Sequence, residues 1–150
     1  MSIEWGNTGF TSTMKHRVID NNGQLPTQVL SANQPFQIEV SWTVPNQLIS
    51  LVNPPGDQFR VRAYAESVGP GQEVQIGSTM TVPASPGAST YTHTLLVGAN
   101  TLLGEGANFN GQAVSGLYKI ACVLQHLSNG TPTAHSGYSD NEPMVMLKTP

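Results

Sequence analysis

The sequence predicts an all-β protein, a single antiparallel β-sandwich with long loops. Three observations predict it. Residues 35–44 alternate strictly: Phe36, Ile38, Val40, Trp42 and Val44 are apolar, and Gln37, Glu39, Ser41 and Thr43 between them are polar. That is the period of a strand with one dry face. Similar runs recur along the chain, separated by turn residues such as Gly69-Pro70-Gly71 and Asn129-Gly130, which is the pattern of a sandwich. No segment sustains apolar residues at i, i+3, i+4 and i+7, so no helix of ordinary length is predicted.

With 150 residues the chain suits one domain spanning 1–150, in which 1–34 reads as an N-terminal strand or hairpin extension and 35–150 as the sandwich body. Charged residues make up 10%, well under the roughly 25% of an average domain. The low charge comes with an ordinary apolar fraction, which argues against disorder. A net charge of −3 and only six Lys and Arg leave no basic stripe for nucleic acid or an anionic membrane surface. The single cysteine, Cys122, has no partner for an internal disulfide and sits in an apolar run, where it reads as a small buried hydrophobe. The N-terminus lacks a basic region followed by an apolar one, so no signal peptide is visible. No apolar run approaches the roughly 18 residues of a membrane span. The reading is a soluble protein made in the cytoplasm, with non-standard export or a trimmed leader left open.

In chain order, Ile3 and Trp5 suggest a short strand, with Trp5 read either as packed under a sandwich edge or as an exposed contact aromatic. Asn21-Asn22-Gly23 is a turn signal around which Met14–Ile19 and Thr27–Leu30 read as hairpin arms or an edge strand. Pro35 and Pro45 bracket the Trp42 strand, at ends where proline removes no central ladder bond. Leu48, Ile49, Leu51 and Val52 fall in the 46–58 loop and read as a segment tucked onto the core. Phe59–Glu66 is the next strand, with Phe59, Val61, Ala63 and Ala65 on one face and Arg60, Arg62, Tyr64 and Glu66 on the other. Its arginines are read as pairing with carboxylates across the sheet, or as meeting an acidic partner. Residues 73–81 and 90–97 continue the alternation, the latter with Tyr91, His93, Leu95 and Val97 together. A connection rich in Gly, Ala and Asn at 98–115 is of a length where loops carry function. Residues 117–127 are apolar on nearly both faces, with Tyr118, Ile120, Cys122 and Leu124 on one and Leu117, Ala121 and Val123 on the other. Such a strand belongs mid-sheet under cover on both sides, or against a partner. Residues 144–148 supply a last strand. The predicted core is Phe36, Ile38, Val40, Trp42, Phe59, Val61, Leu95, Tyr118, Ile120, Cys122 and Leu124.

Ile38-Glu-Val-Ser-Trp-Thr-Val-Pro45 resembles strand B of a fibronectin type III domain, in which a Trp ends an alternating run just before a proline. Gly116-Leu-Tyr-Lys-Ile-Ala-Cys-Val123 is similar to strand F of that family, with Tyr118 in the place of its tyrosine. Residues 137–150 are similar to its closing strand G. The resemblance covers about a third of the chain. The chain departs from the family by its extra N-terminal segment and the long 98–115 connection. The resemblance implies an immunoglobulin-like or fibronectin type III-like sandwich and, by analogy with adhesion and spacer modules, binding rather than catalysis.

The residues agree with a non-enzymatic reading. Nine carboxylates are scattered without a motif. None of His16, His93, His126 and His135 sits in a zinc-ligand spacing, so no metal is expected. The residues a hairpin would bring together as candidate metal ligands or a pH-sensitive site are His126, His135 and Asp140. No phosphate-cradling glycine motif occurs, so no cofactor is expected. Two readings of function remain. In the first, the chain is a protein-interaction or assembly module that contacts a protein partner or forms a homo-oligomer. In the second, it is a carbohydrate-binding module that stacks aromatics on a glycan. The candidate binding residues are Trp5, Arg60, Arg62, Tyr64, Tyr138 and Asp140.

Overall fold

The computed structural model describes residues 2–6, 8–20, 28–140 and 142–150. The strands are β1 (Ser2–Trp5), β2 (Thr11–Ile19), β3 (Val29–Ser31), β4 (Phe36–Thr43), β5 (Asp57–Ser67), β6 (Glu73–Pro83), β7 (Thr90–Val97), β8 (Asn108–Phe109), β9 (Gln112–Ala113), β10 (Leu117–Ser128), β11 (Thr131–Ser139) and β12 (Val145–Lys148). Between β4 and β5 a 3-10 turn (Asn46–Leu48) leads into one turn of helix, α1 (Ile49–Val52). Among the described residues no helix is long and apolar enough to cross a membrane.

Ten strands share one hydrogen-bonded network. Its path runs β3-β12-β10-β11-β1-β2-β4-β7, with β5 attached to β10 and β6 to β5, and β8–β9 form a separate small hairpin. The pairings are antiparallel except one: β3 runs parallel to β12, with Val29 beside Met146 and Leu30 beside Leu147. The purely antiparallel expectation is corrected to a mixed sheet. The same pairing corrects the expected hairpin between 14–19 and 27–30. β2 pairs with β1 at 11–13 and with β4 at 14–19, and β3 ends the strand order, as the alternative reading of an edge strand expected. The turn Asn21-Asn22-Gly23 lies outside the described residues.

The core lies between two groups of strands. Trp42 on β4 faces Phe59 on β5 with ring centroids 5.6 Å apart, and stacks on Tyr91 of β7 at 5.2 Å and 7°. Burying an aromatic of this size removes roughly 150–250 Å² from water, a driving force of about 4–6 kcal/mol at the usual area coefficient. Every residue of the predicted core is buried. Leu48 and Val52 seal the lower loop, and Leu102 and Val114 tie the 98–115 connection to the same core. Gln72 fixes that connection further, its amide donating to Thr101 O at 3.3 Å and accepting from Leu103 N at 2.9 Å.

The N-terminal strands are interior members of the sheet. β1 lies between β11 and β2, and both Ile3 and Trp5 are buried. The close approach depends on Gly137, directly opposite Ile3: a Cβ there would sit 2.6 Å from Ile3 Cγ1 and 2.9 Å from its Cα. At the other end of β11, Asn129 (φ 50°) and Gly130 (φ 85°) supply the two left-handed residues of a tight hairpin turn. This turn pairs Ser128 with Thr131 and Leu127 with Pro132, and an irregularity between Gln125 and Leu127 shifts the register of the rest of the hairpin.

Candidate functional site

Alternation along β5 sends Phe59, Val61, Ala63 and Ala65 into the core, which leaves Arg60, Arg62, Tyr64 and Glu66 outside. β10 does the same with Lys119, Ala121, Val123 and Gln125. Pairing then assembles rows across the outer face. Arg62 lies beside Val123, and Val123 beside Tyr138. Gln75, Tyr64 and Ala121 form a second row. Thr81, Arg60, Gln125, Ser136 and Glu4 form a third. Glu73, Glu66 and Lys119 form the fourth. Tyr138, Val123 and Tyr64 are 51%, 38% and 37% exposed, a large apolar share for side chains on a sheet face that no described residue covers.

The structure therefore brings five of the six candidate binding residues, Arg60, Arg62, Tyr64, Tyr138 and Asp140, onto one face, and separates the sixth. Trp5 is 1% exposed; its indole donates to Ser12 Oγ at 2.8 Å and its ring meets Phe59 edge-on at 6.5 Å. It is a core residue, because Ile3 and Trp5 alternate on the inner face of a strand closed by β2 and β11.

Charge on this face is divided by position. Arg60 and Arg62 do not make the expected cross-strand pairs with carboxylates. Their lateral neighbours are Val123, Gln125 and Thr81, and neither arginine takes part in an ion pair among the described residues. Arg62 Nε is shielded from water and has no hydrogen-bond partner among the described residues. At the other end Glu66 and Glu73 stand directly opposite each other, an arrangement that costs stability. Lys119 engages Asp140 instead, Nζ to Oδ2 at 3.2 Å. Tyr64, Glu66, Glu73, Gln75, Lys119 and Asp140 line a shallow depression of about 380 Å³.

A second constellation lies inside. His126 and Asp57 are 3% and 5% exposed, with His126 Nε2 3.1 Å from Asp57 Oδ2 and 3.0 Å from Val52 O. Both neighbours accept only, so Nε2 carries a hydrogen. On the other side of the ring Nδ1 lies 2.9 Å from Thr133 Oγ1. That hydroxyl also donates to His126 O at 3.1 Å and accepts from His135 N at 3.3 Å. The order carboxylate, imidazole, hydroxyl is that of a catalytic relay, but here the hydroxyl hydrogen is engaged by a carbonyl. What the network does is fasten the β10–β11 hairpin to α1 and to the start of β5. Asp57 carried no signal in the sequence, because its partner is 69 positions away.

His135 joins this group, its ring 5.5 Å from that of His126 and 5.6 Å from Trp5. Burial holds its pKa below the ordinary value, the nearby His126 lowers it further, and a hydrogen bond with the Trp5 backbone opposes both. Asp140 is not with them. Its partner Lys119 is seven positions from His126 along β10, roughly 23 Å at strand rise, and faces outward where His126 faces inward. The hairpin thus gathers the two histidines without the third ligand, and no group of three or more His, Cys, Asp or Glu placed to hold a metal occurs among the described residues.

His16 is buried with Nδ1 2.8 Å from Ser139 Oγ. Burial lowers its pKa against the raising influence of Glu142 and Asp140. His93 is half-buried, 5.9 Å from Trp42. Burial pushes the Cys122 thiol up to about 12, which keeps it protonated and weakly nucleophilic near neutral pH. No protein-family model matches the chain, and no curated protein matches it in sequence.

Proposed function

We propose that the chain is a non-catalytic protein-interaction or assembly module on an immunoglobulin-like sandwich of the fibronectin type III kind. Two observations support the fold reading. The order β2-β4-β7 against β6-β5-β10-β11 follows the A-B-E and C′-C-F-G arrangement of such sandwiches. Tyr118, at the start of the strand in the F position, donates its hydroxyl to Leu103 O upstream at 2.8 Å, as a tyrosine corner does. The binding reading rests on one observation: the outer face of β6-β5-β10-β11-β1 presents Tyr64, Val123 and Tyr138 beside two arginines that form no ion pair among the described residues. Exposed aromatics next to Arg are the composition of contact surfaces.

The test compares immobilised wild type with Tyr64→Ser/Val123→Ser/Tyr138→Ser in a lysate of the encoding organism. A protein held by wild type and released by the variant, with the fold intact by circular dichroism, supports the reading; equal recovery on both overturns it. The carbohydrate reading has an observation of its own, namely that Tyr64 and Tyr138 share a face with Gln75 and Gln125. It requires retention on a polysaccharide resin, elution by free sugar, and loss of retention in Tyr138→Ala.

A further inference from the structure

The outer face is polar lengthwise, with its positive charge at one end, its negative charge at the other and aromatic residues between. Arg60 and Arg62 occupy one end. Glu66, Glu73 and Asp140 occupy the other, and only Lys119 offsets them. Tyr64 marks the midpoint, two residues from Arg62 and two from Glu66, roughly 7 Å each way along the strand. Glu4, in the same row as Arg60, is three strands distant, roughly 14 Å, so it does not quench the arginines. Beside Tyr64 lies Ala121, whose small side chain leaves room for an aromatic ring laid over the sheet.

We infer that the occupant of this face is a second copy of the chain, bound face to face about a twofold axis that crosses β5 and β10 at Tyr64 and Ala121. This deepens the protein-interaction reading and rests on it. A twofold axis in the interface plane, perpendicular to the strands, reverses the strand direction. Arg62 of each copy then lies over the opposed Glu66 and Glu73 of the other. Interfaces of this kind are isologous, so one charge-complementary pairing is made twice. The apposition adds the Arg62 guanidinium to the like-charged carboxylates, beside which their own sheet places Lys119, already engaged by Asp140. It also covers Tyr64, Val123 and Tyr138. Two stacked sheets sit about 10 Å apart, so each Tyr64 faces its symmetry mate across the axis, and the small Ala121 beside it leaves the rings room to lie offset. An unrelated acidic protein would satisfy the arginines and leave Glu66 facing Glu73; a second copy satisfies both ends.

The test is mass in solution by light scattering across a concentration series of the whole chain. The wild type should move from 16.0 kDa to twice that mass as concentration rises. Raising the salt from low to high should weaken the association at least tenfold, because exposed charges are screened. Arg60→Glu/Arg62→Glu and Glu66→Arg/Glu73→Arg should each stay monomeric, and an equimolar mixture of the two variants should recover the double mass. Wild type that remains at 16.0 kDa up to about 1 mM overturns the inference. So does a dimer that survives either reversal unchanged, or a mixture of folded variants that stays monomeric. A monomer that still captures another protein through Tyr64 and Tyr138 ends the second-copy inference and leaves the interaction reading standing. A monomer that captures nothing ends both.

Discussion

The two faces of the β5–β10 ladder are built by the same eleven paired positions and solve opposite problems. Inward, Phe59, Val61, Ala63 and Ala65 meet Tyr118, Ile120, Cys122 and Leu124, all buried, and rings from β1, β4 and β7 pack on Phe59. Outward, Arg60, Arg62, Tyr64 and Glu66 lie beside Lys119, Ala121, Val123 and Gln125, with like charges grouped and apolar surface uncovered. Had selection acted on stability alone, the second face would alternate its charges, since opposite pairs on neighbouring strands stabilise and like pairs do not. The difference teaches where to look for function: on the side where the same backbone carries the less favourable arrangement.

Mutation can break the contrast, with the largest effects expected on the inner side. Trp42→Ala should cost roughly 3–5 kcal/mol in urea unfolding. A loss under about 1 kcal/mol would show that the inner face does not depend on the ring it shares with Phe59 and Tyr91. Gly137→Ala should cost about 1–3 kcal/mol by driving a methyl into Ile3, and hydrogen exchange should show the amides of β1 exposed first. Asp57→Asn should cost about 1–3 kcal/mol by weakening the clamp on His126. Equal stability of this variant and wild type would mean that Val52 O alone suffices.

A pH titration sharpens the same contrast. His16 and His135 both titrate below the ordinary histidine value of 6.5 in the folded state, so below that value the unfolded chain binds more protons than the folded one. Stability should therefore be full above pH 6.5 and decline as pH falls through it. A melting temperature that rises on acidification from pH 7 to 5 would contradict the burial of these rings. The smallest effect belongs to the outer face: Tyr64→Ser/Val123→Ser/Tyr138→Ser should change stability by no more than about 0.5 kcal/mol per site while abolishing association. Loss of both together would place those side chains among the residues that hold the fold.

What was legible in the sequence was whatever depends on neighbours along the chain. β4, β5 and β7 announce themselves because each alternates with one dry side, β10 by its apolar run, whose outer face is nevertheless left uncovered within the chain at Val123, and Asn129-Gly130 because a two-residue hairpin demands two left-handed residues. β11 was harder to read, since its inward positions are small or polar and its role in the core is to make room: Gly137 admits Ile3. The partner of β3 was not legible at all, because a parallel pairing between residue 29 and residue 146 leaves no local trace. The candidate site was half legible. Period two placed Arg60, Arg62 and Tyr64 on one face, but only register brings Tyr138 and Val123 to them and sets Glu66 against Glu73. Of the two readings of Trp5, packing or contact, the structure shows packing; the sequence left both open because an aromatic near a chain end looks the same whether its strand is interior or at an edge.

The pairing of β1 with β11 also has a consequence in time. Ile3 lies opposite Gly137, so during synthesis β1 leaves the ribosome long before the strand that completes its ladder exists. At ordinary elongation rates that interval is on the order of ten seconds, far longer than a hairpin takes to form. Throughout it Ile3 and Trp5 are exposed on a strand with one edge unfilled, a surface that chaperones bind and that neighbouring nascent chains on the same message could pair with.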